Sequence, residues 1–354
     1  MERELHDGRE DGLEPLESLD VRGAGGFAGM LDRMSKTAFG GRALGEAQEI
    51  VCRMAQDPDC LIVLTISGAM TVAKMGRIVC EMIDNGLAHI VVCTGALMAH
   101  GLSEAIGCTH YKYDPSISDE QLYQWGYNRV YDTLEMEANL CRAQEVVSRV
   151  LDEFDWTRPT CASEINRAIG KMLFEQGQMP SVLGCAYQRN VPVFVPALTD
   201  SELGLDVATF FLNRANSQAH QHDLTKFFSA VPNYNPFLDL NNYTQRILKA
   251  KNLGIFTIGG GVPRNWAQQV GPFVDIINMR LGTEFSVPRF RYAVRICPEP
   301  AHWGGLSGCT YTEGVSWGKF LSREEGGMHA EVHCDATVAW PILIRGVLEK
   351  LGKI

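Results

Sequence analysis

The chain carries eleven cysteines but no Cys-x-x-Cys pair. It also has no apolar run near the ~18 residues that a membrane helix needs, and no basic excess. The thiols are scattered from Cys52 to Cys334 and odd in number. That pattern points away from a disulfide framework and toward reduced side chains, most of them small core residues. With no recognisable signal peptide, the expected setting is cytoplasmic, without membrane insertion. Lysine and arginine total 32 against 42 acidic residues, a net charge of -10. Phosphate backbones need a clustered basic surface, so nucleic acid is not an expected partner. An acidic balance suits a cationic substrate instead. With 45% hydrophobic and 21% charged residues over 354 positions, the chain is expected to fold as one large or two small domains.

Residues 1–20 are acidic and polar and read as a flexible N-terminal arm. Gly23-Ala-Gly-Gly-Phe-Ala28 satisfies a G-x-G-x-x-A pattern, but no buried strand precedes it, so a hinge is expected there. A helix is predicted over 44–56. Next, Leu61-Ile-Val-Leu-Thr-Ile-Ser-Gly68 is a continuous apolar run that ends in small polar residues, as a buried parallel strand does. A helix over 71–84 and a second strand, His89 to Gly95, complete a right-handed strand–helix–strand unit. Residues 107–135 hold Tyr111, Tyr113, Tyr123, Trp125, Tyr127 and Tyr131 and read as a long connection. It suits a subunit interface, a lid, or aromatic packing onto its own domain. Helices are expected near 135–153 and 161–176.

Further strands are predicted at 191–195, 254–258, 291–297 and 329–334, with a closing helix from Trp340 to Leu351. His220-Gln-His-Asp223 offers two histidines without a convincing third ligand, so a polar loop is expected there and no metal. The strands end in Ser67-Gly68, Thr94-Gly95, Thr199-Asp200, Gly259-Gly-Gly261 and Asp335-Ala336. Ligands of open parallel sheets bind beyond strand C-termini, so these ends should converge on a nucleotide cofactor. The glycine turn is an incomplete G-x-G-x-x-G, because Arg264 takes the sixth position.

Between the fifth and sixth strands, residues 304–319 are rich in glycine, serine and threonine and read as a ligand-wrapping loop. Set into it are Glu313, Trp317 and Lys319. Burial against apolar surface makes a lysine neutral and nucleophilic. Tryptophan faces bind cations, and glutamate is a counter-ion for amines. The three together read as a site that handles an amine and forms an imine with it. The plain alternative is a solvated surface lysine.

Glu313-Gly-Val-Ser-Trp-Gly-Lys319 resembles the active-site segment of the deoxyhypusine synthase family. Pro196-Ala-Leu-Thr-Asp200, the Gly259-Gly-Gly261 turn and Asp335-Ala336 recur in that family's order, from about Val21 to the C-terminus. The resemblance implies a Rossmann-like, mostly parallel α/β sheet with helices on both faces, in a single large domain over 21–354. It implies NAD against Ser67, Gly68, Thr94, Gly95, Asp200, Gly260, Asp335 and Ala336. Lys319 would be the catalytic imine-former. Glu313, Trp317, Gly304, Gly305 and Asn265, which stands where the family has a histidine, would contact a polyamine. A protein lysine or, as in related homospermidine synthases, a small diamine would be the acceptor amine, and a homotetramer the assembly.

Departures lie on the substrate side. Ala99 and His100 replace paired glutamates, Leu306 replaces an aspartate, and another aspartate is missing at Leu205, beside Asp206. Each lost carboxylate removes a charge-assisted hydrogen bond worth roughly 1.5–3 kcal/mol. A divergent branch is therefore expected. The competing expectation is a catalytically silent NAD-binding or interaction protein that kept the fold.

Overall fold

A computed structural model describes residues 3, 5–178, 180–216, 228 and 231–354. Helices α1 (Phe27–Met34) and α2 (Phe39–Gln56) lead into β1 (Cys60–Ile66), α3 (Gly76–Asp84), β2 (Ile90–Cys93) and α4 (Gly95–Ala105). A smaller unit follows, with β3 (Tyr111–Lys112), α5 (Asp119–Gln124), β4 (Tyr127–Val130) and β5 (Thr133–Met136). The chain continues through α6 (Glu137–Asp152), α7 (Ala162–Glu175), α8 (Val182–Gln188), β6 (Val193–Phe194), α9 (Glu202–Asn216) and α10 (Pro236–Ile247). It ends with β7 (Asn252–Ile258), α11 (Gly261–Gln268), α12 (Val270–Leu281), β8 (Tyr292–Ile296), α13 (Tyr311–Ser316), β9 (Met328–Val332) and α14 (Ala336–Lys350).

The main sheet has six strands, all parallel, in the order β6-β2-β1-β7-β8-β9. Its central strands are apolar on both faces because both are covered. On β1, Ile62, Leu64 and Ile66 enter one core with α2, α3, α4, α6, α7 and α14, whereas Val63 enters a second core. That second core holds Tyr243 and Ile247 of α10, Ala267 of α11, Val270 of α12 and Tyr311 of α13. Strand periodicity thus sorts the helices onto two faces. Thr65 and Thr257, opposite each other on β1 and β7, satisfy one another inside the sheet at 2.8 Å.

Four expectations change in detail. The third strand shrinks to Val193–Phe194, since prolines at 192 and 196 flank it and cannot donate to a ladder. The helix expected from 71 starts at Gly76, after a turn in which Lys74 takes φ 62°. Residues 107–135 are more than a connection: they fold into an antiparallel sheet, β3-β5-β4, whose β4–β5 hairpin turns at Tyr131 with φ 55°. The lysine-bearing loop contains α13, because the Thr310 hydroxyl accepts from the Glu313 N–H at 3.1 Å and caps a helix there.

The G-x-G-x-x-A stretch is a turn that runs into the first two residues of α1, and no strand precedes it among the described residues. The Ala28 N–H donates to Glu349 Oε2 at 2.9 Å, so a carboxylate of α14 already occupies that helix start. Described residues before Val21 are exposed and form neither helix nor strand. His220 to Asp223 lie outside the described residues.

Candidate functional site

Parallel strands put all their C-terminal ends on one edge, and neighbouring strands knit that edge together. Ser67, after β1, accepts from the Gly260 N–H at 2.9 Å and donates to Ile258 O at 3.2 Å. Gly260 is held equally close to the loop after β8, since a Cβ there would meet Ser307 Cα at 2.5 Å. Thr94 caps α4 and donates to Gly68 O at 3.2 Å. Gly95 is needed for close approach, because a Cβ would run into the Ser201 side chain. Asp200 is exposed in the turn after β6. Asp335 caps α14, accepting from the Thr337 N–H at 2.7 Å, and Ala336 begins that helix, buried.

Three helices, α4, α11 and α14, begin at this edge, and their N-termini favour anions. Thr94 and Asp335 cap two of them, whereas α11 begins at Gly260 with no side-chain cap. Gly68 and Gly261 have φ of 76° and 56°, and no backbone blocks the space a Cβ would take. An uncapped helix start with open space at Gly68 and Gly261 fits a nucleotide pyrophosphate.

Beside this edge lies a cavity of about 280 Å³. It is lined by Asn265, Gly304, Gly305, Glu313, Trp317 and Lys319 together, so the whole predicted substrate set meets in one place. Lys319 is 8% exposed, and its Nζ donates to Asn265 Oδ1 at 3.1 Å. The indole of Trp317 has its centroid 5.8 Å from that Nζ, while its outer face is exposed. Burial pushes the Lys319 ammonium below its ordinary range; Cys309 and Glu313 oppose the shift and the Arg264 guanidinium adds to it. The result is a lysine with an enlarged neutral fraction.

Sequence reasoning missed what holds this cavity. Arg264, 2% exposed, stacks over Tyr311 at 5.2 Å and donates to Leu306 O at 3.3 Å. Arg295, 1% exposed, donates to Ser307 O and, at 2.7 Å, to Cys309 O. Two buried guanidiniums thus staple the carbonyls of the glycine-rich loop, satisfying backbone that no ladder pairs. Arg264 was visible as the break in the glycine motif; Arg295, inside an apolar strand, was the stronger signal. Asp206 on α9 is buried, and burial followed by repulsion from Glu202 pushes its carboxyl up to about 7. A larger cavity, about 570 Å³, opens beside Leu61, Pro192 and Val193 at the opposite strand ends. It holds none of these groups.

The family profile described as deoxyhypusine synthase matches residues 29–347. A "Probable deoxyhypusine synthase 2" of Methanosarcina mazei is 32% identical over 95% of this chain and 90% of its own length. A "Deoxyhypusine synthase-like protein" of Elusimicrobium minutum is 29% identical over 93% of this chain and 82% of its own. A crystal structure from Entamoeba histolytica, described as a candidate deoxyhypusine synthase, superposes with a TM-score of 0.57 at 14% identity. It covers 94% of this chain and 96% of its own, a likeness of fold. On the profile match and the relatives' near-complete coverage, the chain belongs to the deoxyhypusine synthase family.

Proposed function

We propose that the chain is an NAD-dependent transferase that moves a 4-aminobutyl group from spermidine or a related polyamine to an acceptor amine, through an imine on Lys319. The observation that carries this reading is Lys319 itself: buried, bonded to Asn265, beside Trp317, and shifted by burial toward its neutral form. When bound, NAD supplies the acceptor for the hydride that leaves the carbon beside the polyamine's secondary nitrogen, and returns it to the product. The neutral Lys319 amine adds to the resulting C=N carbon and expels the departing diamine, keeping the four-carbon fragment as a lysine imine. Asn265 holds Nζ in line, and the Glu313 carboxylate faces the fragment's terminal ammonium. An acceptor amine then displaces Lys319. Two electrons leave the substrate and two return, so the transfer is redox-neutral overall.

We assign NAD to Ser67, Gly68, Thr94, Gly95, Asp200, Gly260, Asp335 and Ala336, on the uncapped α11 start and the open space at Gly68 and Gly261. The acceptor is a protein lysine or a small diamine, in a cytoplasmic homotetramer. A second reading, a silent NAD-binding interaction protein, is favoured by one observation. Among the described residues lining the cavity only Glu313 bears a carboxylate, and Leu306 is apolar.

The test is incubation of the full chain with NAD and single polyamines, with and without diamine acceptors, followed by mass spectrometry. The transferase reading expects release of the departing diamine and an acceptor heavier by an aminobutyl group. NAD binding without reduction by any polyamine would leave the silent reading standing.

A further inference from the structure

His100, His110 and Glu135 come from three separate segments, α4, the loop before β3, and β5. Their ligand atoms lie within 4.8 Å of one another. His100 Nδ1 is 3.1 Å from Glu135 Oε2, and His110 Nε2 is 2.6 Å from the same oxygen. The second approach lacks hydrogen-bond alignment, and His110 Nε2 is left without a hydrogen-bond partner. Both ring nitrogens thus converge on one oxygen of a buried carboxylate, the second without hydrogen-bond alignment. Glu135 and His110 are buried (0% and 1%), and His100 is 17% exposed. Asn139 donates to the other carboxylate oxygen at 2.6 Å and to Thr109 O at 3.1 Å, fixing the carboxylate's plane. A buried carboxylate demands a cation. The nearby ammonium, Lys74, reaches His110 Nδ1 at 2.7 Å and Glu104 at 3.3 Å, not Glu135.

We propose that His100 Nδ1, His110 Nε2 and Glu135 Oε2 form a site for a divalent transition metal of the zinc type, clamping the small antiparallel sheet to α4. Two imidazoles and one carboxylate are a familiar zinc ligand set, with bonds of about 2.0–2.2 Å and a fourth position left for water. Tetrahedral bonds of that length separate ligand atoms by about 3.3 Å. The 3.1 Å pair already matches, and the 2.6 Å pair opens slightly on binding. Binding requires His110 to carry its proton on Nδ1, so half-exposed Lys74 swings wholly to Glu104. None of these residues lines the Lys319 cavity, and His100 stands where the family has a glutamate, so zinc uptake is read apart from aminobutyl transfer.

The test is titration of the metal-stripped full-length protein with Zn²⁺ by calorimetry, and with Co²⁺ by visible absorption. One Zn²⁺ per chain and the ligand-field bands of a four-coordinate Co²⁺ are expected. His100→Ala, the least buried ligand, should keep the wild-type circular dichroism. It should weaken zinc by more than roughly a hundredfold, beyond the loss typical of an outer-shell change. Lys74→Met removes a competing cation and should bind zinc at least as tightly as wild type. No zinc uptake, equal uptake by His100→Ala, or weaker uptake by Lys74→Met would overturn the site.

Discussion

At the scale of single residues, opposed influences act on Lys319. Burial and Arg264 lower its pKa, while Cys309 and Glu313 raise it. Imine formation needs the neutral amine, so the rate should climb with pH and level off below the ordinary lysine range. Glu313→Gln removes a raising influence. The rising limb of the pH–rate profile should then move to lower pH while KM for the amine increases. A limb that stays put would remove Glu313 from the lysine's surroundings. Asp206 supplies a stability counterpart. Its folded pKa, about 7, lies above the ordinary aspartate value of 3.8, so the folded state holds the proton more tightly than the unfolded state does. The associated stability is present below about pH 4 and is lost as pH rises through 7. Asp206→Asn should therefore raise Tm at pH 8 and change it little near pH 4. Thermal melts at the two pH values decide it.

At the scale of elements, the ends of β1, β7 and β8 are packed so closely that glycine is required between them. A Cβ at position 260 would press on the backbone of Ser307 at 2.5 Å, which cannot yield as a flexible side chain does. Gly260→Val should force the turn and the loop after β8 apart. It should cost about 1–3 kcal/mol of stability, as overpacking does, and abolish NAD binding by calorimetry. Wild-type NAD affinity in that variant would move the cofactor off this turn. The long parallel strands were legible because residues buried on both faces write an unbroken apolar run, as in Leu61 to Ile66. The β3-β5-β4 sheet was not: its strands are two to four residues long, and β3 and most of β4 are exposed. Nor was α13, since Thr310 caps a helix inside a stretch whose glycines suggest a loop.

At the scale of the whole molecule, Gly304, Gly305, Glu313, Trp317 and Lys319 were legible as one stretch, whereas the buried guanidiniums that shape their cavity were not. Arg264 and Arg295 act from α11 and β8 on carbonyls more than ten positions away, a relation that only the fold creates. The His100–His110–Glu135 cluster was invisible for the same reason. The small sheet also turns Tyr111, Tyr123, Trp125 and Tyr131 outward, each about half exposed or more. Aromatic residues of this kind are enriched in subunit contacts. A homotetramer at micromolar concentration is the expected light-scattering result, and Trp125→Ser should shift it toward smaller species. A monomeric wild type would contradict the assembly.

The most direct measurement is borohydride trapping during turnover with NAD and a competent polyamine, followed by peptide mass spectrometry. The wild-type peptide bearing Lys319 should gain the mass of an aminobutyl group. Lys319→Arg should keep the fold and NAD binding but gain nothing, because guanidinium stays protonated and forms no imine. If transfer persists in that variant, or if the trapped mass sits on another lysine, the imine does not form at Lys319 and the account fails.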